Sequence, residues 1–148
     1  MIERYIIPER MREINADSEF EKLGGGFAFP LQITEGGTVK LREGTSHVMD
    51  CVKHIAVNEH EDLYGTPSFG GNVPKGVFGV FSTDVLTLRE SNLKEAIETW
   101  EPRVVDIRVT AGKSTAVDNE SKVTMLAQFG VQATGTNEHL YFPVEEGE

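Results

Sequence analysis

The chain has 148 residues, and 24 acidic against 14 basic side chains give it a formal net charge of −10. This length suits one domain with a hydrophobic core. The charge disfavours nucleic-acid binding, which needs clustered basic residues. No apolar run is long enough to span a membrane, and the N-terminus lacks the features of a signal peptide. With one cysteine, Cys51, no intrachain disulfide is possible, and we expect a cytoplasmic protein.

Residues 1–26 are predicted to form a peripheral N-terminal arm, and residues 27–148 a single domain. The arm ends at Gly24-Gly25-Gly26, which we interpret as a hinge or a tight turn because glycine accepts positive φ without steric cost.

The segment Phe27–Thr34 alternates apolar and other residues, which predicts a strand. Pro30 has no N–H to donate, so this strand should lie at a sheet edge. Gly36-Gly37 predicts a turn, and Val39 and Leu41 continue a second short strand. A hairpin is therefore expected.

The clearest helical pattern in the first half is Val48, Cys51, Val52 and Ile55, which follow the i, i+3, i+4, i+7 spacing of one helix face. This places Cys51 on the buried face, where we expect it to be inert. Thr45 or Ser46 is the predicted N-cap.

An irregular loop rich in proline and glycine spans residues 61–71. Leu63, Tyr64 and Phe69 are predicted to anchor it to the core. A long ordered loop on a small domain often carries an interaction surface.

A second helix is predicted up to Trp100, because Leu93, Ala96, Ile97 and Trp100 share one face. Thr83 or Thr87 is its expected cap. Pro102 forbids continuation of this helix.

The Glu101-Pro102-Arg103 corner presents an acid and a base beside a rigid ring, an arrangement suited to docking. The alternatives are core packing for Trp100 and an intramolecular salt bridge for Arg103.

Three strands are predicted after this corner, over residues 104–110, 122–133 and 140–144. Val123, Met125, Ala127, Phe129 and Val131 share one face of the middle strand. We therefore predict a small single α+β domain, with two or three helices packed on an antiparallel sheet and a C-terminal β-meander.

No pattern of residues predicts a cofactor, and His47, His54 and His60 lack a common ligand face, so no metal site is expected. A glycosidase needs two facing carboxylates. The loop acids Glu59 and Glu61 do not form an evident pair.

Several segments, in this order, resemble the small baseplate wedge protein family of contractile phage tails, which has relatives in type VI secretion and other contractile injection systems. They are Phe27–Pro30, Val48–Asn58, Tyr64–Gly70, Leu93–Trp100 and, most specifically, Trp100-Glu101-Pro102-Arg103. The family usually carries Gly-Glu-Arg before its Pro-x-Phe-Gly loop, where this chain has His60-Glu61-Asp62.

The resemblance implies a structural, non-enzymatic baseplate wedge protein that acts as a sheath initiator in the virion and is assembled in the host cytoplasm. Its implied partners are the wedge core-bundle proteins and the tail sheath protein, and tail tube or spike-hub proteins are further candidates. The resemblance implies no binding to nucleic acid or to a membrane. The docking residues carried over are Trp100, Glu101, Pro102 and Arg103. The C-terminal strands are expected to contact sheath by strand exchange, around Val123, Met125, Phe129, Val131, Leu140 and Phe142.

Two other functions stay open from the sequence. One is a cell-wall (peptidoglycan) hydrolase of the baseplate, and the other is a cytoplasmic adaptor of the same fold that binds one protein outside a particle.

Overall fold

The computed structural model describes residues 22–73, 82–115 and 121–144. Over these ranges the chain forms two helices and two antiparallel sheets, which confirms the predicted α+β class. The elements are β1 (Gly25–Phe27), β2 (Leu41–Glu43), α1 (Gly44–Val57), α2 (Thr83–Trp100), β3 (Val104–Thr115), β4 (Ser121–Val131) and β5 (Thr136–Val144). Neither described helix is long and apolar enough to cross a membrane.

Strands β1 and β2 form the predicted hairpin, with Gly25 opposite Glu43 and Phe27 opposite Leu41, and an isolated bridge joins Ile33 to Val39. The strand predicted over residues 27–34 is otherwise irregular, since Pro30 supplies no N–H to a ladder. Most of the predicted arm, residues 1–21, lies outside the described residues. Its described end is packed with the domain, because Leu23 is 3% exposed and the boundary predicted at 26/27 falls inside β1.

One surface of this hairpin packs on α1, and its large apolar side chains face solvent. Gly26 lies against the His47 ring, and the Arg42 Nε is 3.1 Å from the buried Asp50 carboxylate. The backbone N–H of Phe29 also donates to Asp50. The exposed side chains, which we call the apolar hairpin surface, are Phe27, Leu31, Ile33, Val39 and Leu41, each 37–66% exposed.

Helix α1 buries the predicted face, with Val48 and Val52 fully buried and Ile55 3% exposed. Cys51 is only half-buried, because it lies at the margin of this face. The predicted N-cap at Thr45 or Ser46 is wrong. The helix begins at Gly44, directly after β2, so both residues lie inside its first turn.

Helix α2 begins at Thr83, about three turns before Leu93, the first residue of the predicted apolar stripe. Ser82 is its N-cap and accepts a hydrogen bond from the Val85 N–H at 3.4 Å. The predicted caps, Thr83 and Thr87, lie within the helix, where the Thr87 hydroxyl donates to the Thr83 carbonyl. Leu93 and Ile97 are fully buried, as the spacing predicts.

The C-terminal sheet has the order β3-β4-β5 and is the predicted meander. Strand β3 runs to Thr115 rather than to Thr110, because residues 111–115 continue the pairing with β4. A bulge interrupts this pairing between Val105 and Arg108, where Asp106 has a φ of 53°. The inner face of the sheet packs on the helices and forms the core with Val48, Val52, Leu93, Ile97, Val123, Met125, Ala127, Phe129 and Val131.

Gly71 is expected to be a tight packing point between α1 and α2. A Cβ there would lie 2.6 Å from Leu93 Cδ1 and 3.2 Å from Ala56 Cα. We predict that Gly71→Ala lowers the free energy of unfolding by about 1–3 kcal/mol through overpacking.

Chemical denaturation measures this effect, with Gly112→Ala as the matched control because a Cβ at that position meets open space. The control should stay within about 0.5 kcal/mol of the parent. Equal losses in the two variants would contradict the packing described.

Candidate functional site

The corner between α2 and β3 is fixed by its backbone. Glu101 is the C-cap of α2, and its N–H donates to the Ile97 carbonyl at 2.9 Å. Pro102 then ends the helix and is exposed, and the Val104 N–H donates back to the Glu101 carbonyl at 3.3 Å. The corner is therefore a tight turn closed by its own hydrogen bonds.

The acid and the base of this corner bind each other. Glu101 is 2% exposed, and Arg103 Nε and Nη2 donate to its two carboxylate oxygens at 2.5 and 2.6 Å. The Arg103 backbone N–H donates to the same carboxylate at 3.3 Å. Arg103 thus forms the intramolecular salt bridge that was the alternative interpretation of its sequence position. The contact is bidentate, as is typical of Arg–carboxylate pairs.

Arg103 also joins the corner to two other elements. Its Nη1 donates to the Leu23 carbonyl at 2.6 Å, and its Nη2 lies 3.4 Å from the Cys51 sulfur on α1. A guanidinium has five N–H donors. These contacts use four of them, so over the described residues one N–H on Nη1 is left without a partner, on a side chain that is 28% exposed.

The charge state of this cluster follows from its contacts. The hydrogen bonds to Glu101 raise the pKa of Arg103, which stays charged. Burial raises the pKa of the Cys51 thiol, although the hydrogen bond from Arg103 opposes this shift. Burial and the nearby Arg103 charge both lower the pKa of His47. The Cys51 sulfur lies 3.7 Å from His47 Nε2. A raised pKa keeps Cys51 mainly as the thiol, whereas the thiolate is the nucleophilic form.

Trp100 is half-buried and packs against the core. Its ring meets that of Phe69 edge-on at 5.3 Å, and Phe69 in turn contacts the His54 ring. Phe69 therefore anchors the loop as predicted. Tyr64 does not, because its side chain is fully exposed.

The side chains predicted to contact sheath all face the core. Exposure is 0–8% for Val123, Met125, Phe129, Val131, Leu140 and Phe142. Their alternation reports the inner face of the sheet, so a sheath contact by these strands would use backbone groups and stays a prediction. Strand β4 is central and pairs on both sides, so it has no free edge, whereas β5 pairs only with β4 among the described residues.

The free edge of β5 offers backbone groups for strand addition. N–H direction and side-chain direction alternate together along a strand. Pro143 has no N–H, so its position should face away from β4, and the exposed His139 and Tyr141 then direct their N–H groups to the same free edge. Pro143 is the only proline in β5.

No group of three or more metal-ligating side chains occurs in the described ranges.

A shallow cleft of about 540 Å³ beside the β3 bulge brings Asp106 and Glu138 to one surface, together with Arg108 and His139. Sequence reasoning missed this cleft and the contacts of Arg103 with Leu23, because neither produces a pattern along the chain.

Other solved structures share this fold. A candidate tail lysozyme from Geobacter sulfurreducens is 29% identical, with a TM-score of 0.58 over 68% of this chain and 89% of its own. A chain in the six-fold symmetrised cryo-EM structure of the anti-feeding prophage baseplate is 18% identical, with a TM-score of 0.60 over 88% of this chain and 91% of its own. No family model and no curated protein matches the sequence. The architecture is therefore a small α+β fold that also occurs in the anti-feeding prophage baseplate.

Removal of the Arg103 side chain would leave the Glu101 carboxylate buried without its partner. We predict that Arg103→Ala lowers the free energy of unfolding by about 3 kcal/mol, the low end for a buried pair, because Arg103 is partly exposed. Urea unfolding of Arg108→Ala, an exposed arginine on the outer sheet surface, is the control. It should change stability by less than about 0.5 kcal/mol, and similar losses in both variants would refute the role given to the pair.

His47 should make the fold less stable in mild acid. Its pKa is lowered in the folded chain, so below its unfolded value of about 6.5 the unfolded chain binds the proton first. The free energy of unfolding should therefore fall as the pH drops from about 7.5 to 5.5.

Denaturation at several pH values should show a shallower slope for His47→Gln than for the parent chain. Identical slopes would show that His47 does not contribute.

Proposed function

We propose that this chain is a structural component of a contractile phage tail or injection-system baseplate, and that it belongs to the baseplate wedge. The observation that carries the proposal is the fold, which is shared over 88% of this chain with a chain of the anti-feeding prophage baseplate. The order of the sequence motifs that resemble the wedge family supports it. The protein would then reside in the particle after assembly in the host cytoplasm.

The corner is the proposed dock for the helical core bundle of the wedge. Glu101 is buried and serves as the fixed counter-ion, so the groups that a partner can reach are the Pro102 ring and the remaining N–H of Arg103. A free carbonyl at a helix end is a suitable acceptor for that N–H. Because Glu101 already orients the guanidinium, little ordering is needed on binding.

The β5 edge is the proposed template for the sheath. Strand addition uses backbone hydrogen bonds along an exposed edge, and β5 has such an edge at His139 and Tyr141. An uncovered edge is normally a hazard for aggregation, and Pro143 near its end limits it. The residues predicted to mark the sheath-contacting strands face the core and act here by fixing β4 and β5 on the helices.

The apolar hairpin surface supports the proposal that the chain works as part of a protein assembly. Five large apolar side chains are exposed together at Phe27, Leu31, Ile33, Val39 and Leu41. Apolar groups clustered on a surface mark protein–protein contact sites.

Cell-wall hydrolysis is the second candidate, favoured by the likeness to the candidate tail lysozyme. The cleft with Asp106 and Glu138 provides two carboxylates. Asp106 is exposed and Glu138 is half-exposed. The general acid of a glycosidase is typically a carboxyl group held in an apolar pocket. Neither acid of this cleft is buried, which makes this function the less favoured one.

The test is gene deletion in cells that build the particle, followed by electron microscopy of negatively stained lysates. We expect extended sheaths to disappear without the gene and to return with the parent chain. Tyr141→Pro removes one edge N–H and should leave baseplates without sheath.

The matched control is Tyr141→Ala, which keeps the N–H and should restore sheaths. Circular dichroism of both purified variants checks that they fold. Normal sheaths in the deletion strain would overturn the proposal, and clearing of peptidoglycan by the purified parent chain, lost in Glu138→Gln, would favour the hydrolase instead.

A further inference from the structure

A pocket of about 230 Å³ lies beside the corner, between α2 and the loop over residues 59–71. Its wall on α2 is formed by Asn92, Glu95, Thr99 and Trp100, which recur at helical spacing on one stripe. His60 and Ser68 line the loop side.

Contacts among the loop residues and with Trp100 hold the pocket walls in place. His60 Nε2 donates to the Gly70 carbonyl at 3.1 Å, and its backbone N–H donates to Asn72 Oδ1 at 2.8 Å. The edge-on contact of Phe69 fixes the Trp100 ring. The cavity is therefore built before any partner arrives.

Its chemistry favours a cation with a flat face. Glu95 is exposed, and over the described residues its carboxylate has no hydrogen-bond or ion-pair partner. The Trp100 ring provides an aromatic wall, the best side chain for a cation–π contact. The chain carries a net charge of −10, so its long-range field attracts basic partners.

We propose that this pocket receives an arginine side chain of the docking partner, with the guanidinium stacked on Trp100 and paired with Glu95. Arginine is preferred to lysine because its planar fork can stack on a ring and bind a carboxylate at once. The inference rests on the proposed function, since Trp100 adjoins the corner that is proposed to dock. It adds the chemical identity of the partner group that is recognised.

The experiment uses the full chain, in which Trp100 is the sole tryptophan, so that its fluorescence reports directly on the pocket. We would titrate N-acetyl-arginine amide and, as a neutral analogue of the same shape, N-acetyl-citrulline amide. The arginine compound should give a saturable change with a dissociation constant on the order of 1–10 mM, and citrulline should give none.

Glu95→Gln should weaken arginine binding at least about fivefold, because one charge-assisted contact is lost. The matched control is Glu98→Gln, which neutralises an exposed acid one turn along the same helix that already lies 3.8 Å from Lys94. Its affinity should equal that of the parent chain.

Equal responses to arginine and citrulline, or equal losses in the two glutamate variants, would overturn the arginine pocket. Sheath assembly in the deletion strain is scored independently of this titration. A silent titration with sheath assembly still dependent on the gene would remove the pocket proposal alone.

Discussion

The buried ion pair between Glu101 and Arg103 is the constraint on which the rest of the candidate site depends. A carboxylate that is 2% exposed is stable only when it is paired and hydrogen-bonded. Arg103 supplies both contacts and also reaches the Leu23 carbonyl and the Cys51 sulfur. One side chain thus connects the end of α2, the start of β3, helix α1 and the segment before β1.

This arrangement divides the corner into an inner and an outer part. Glu101 faces inward and sets the orientation of the guanidinium, while Pro102 and one Arg103 N–H remain for a partner. The motif is therefore a pre-arranged unit in which only part of the Glu-Pro-Arg sequence is available for contact. The neighbouring pocket at Trp100 and the free edge of β5 are the two further proposed contact sites, one for a charged group and the other for backbone hydrogen bonds.

The parts of the fold that follow from local periodicity could be predicted from the sequence. Val48 and Val52 on α1, and Leu93 and Ile97 on α2, are buried as their spacing requires. The same periodicity identifies the buried face of β4 but not which strand is at the edge, so the sheath contact of the C-terminal strands stays a prediction. The contact of Arg103 with Leu23 joins residues 80 positions apart through a backbone carbonyl. Because every residue has a backbone carbonyl, no pattern of residue types predicts this contact.

The most direct test of this account is a side-chain-resolution cryo-EM map of the assembled particle. We expect Pro102 and Arg103 Nη1 to contact a helical bundle of another protein, with the Glu101–Arg103 pair still intact. A map in which this corner faces solvent, or touches only its own chain, would contradict the account.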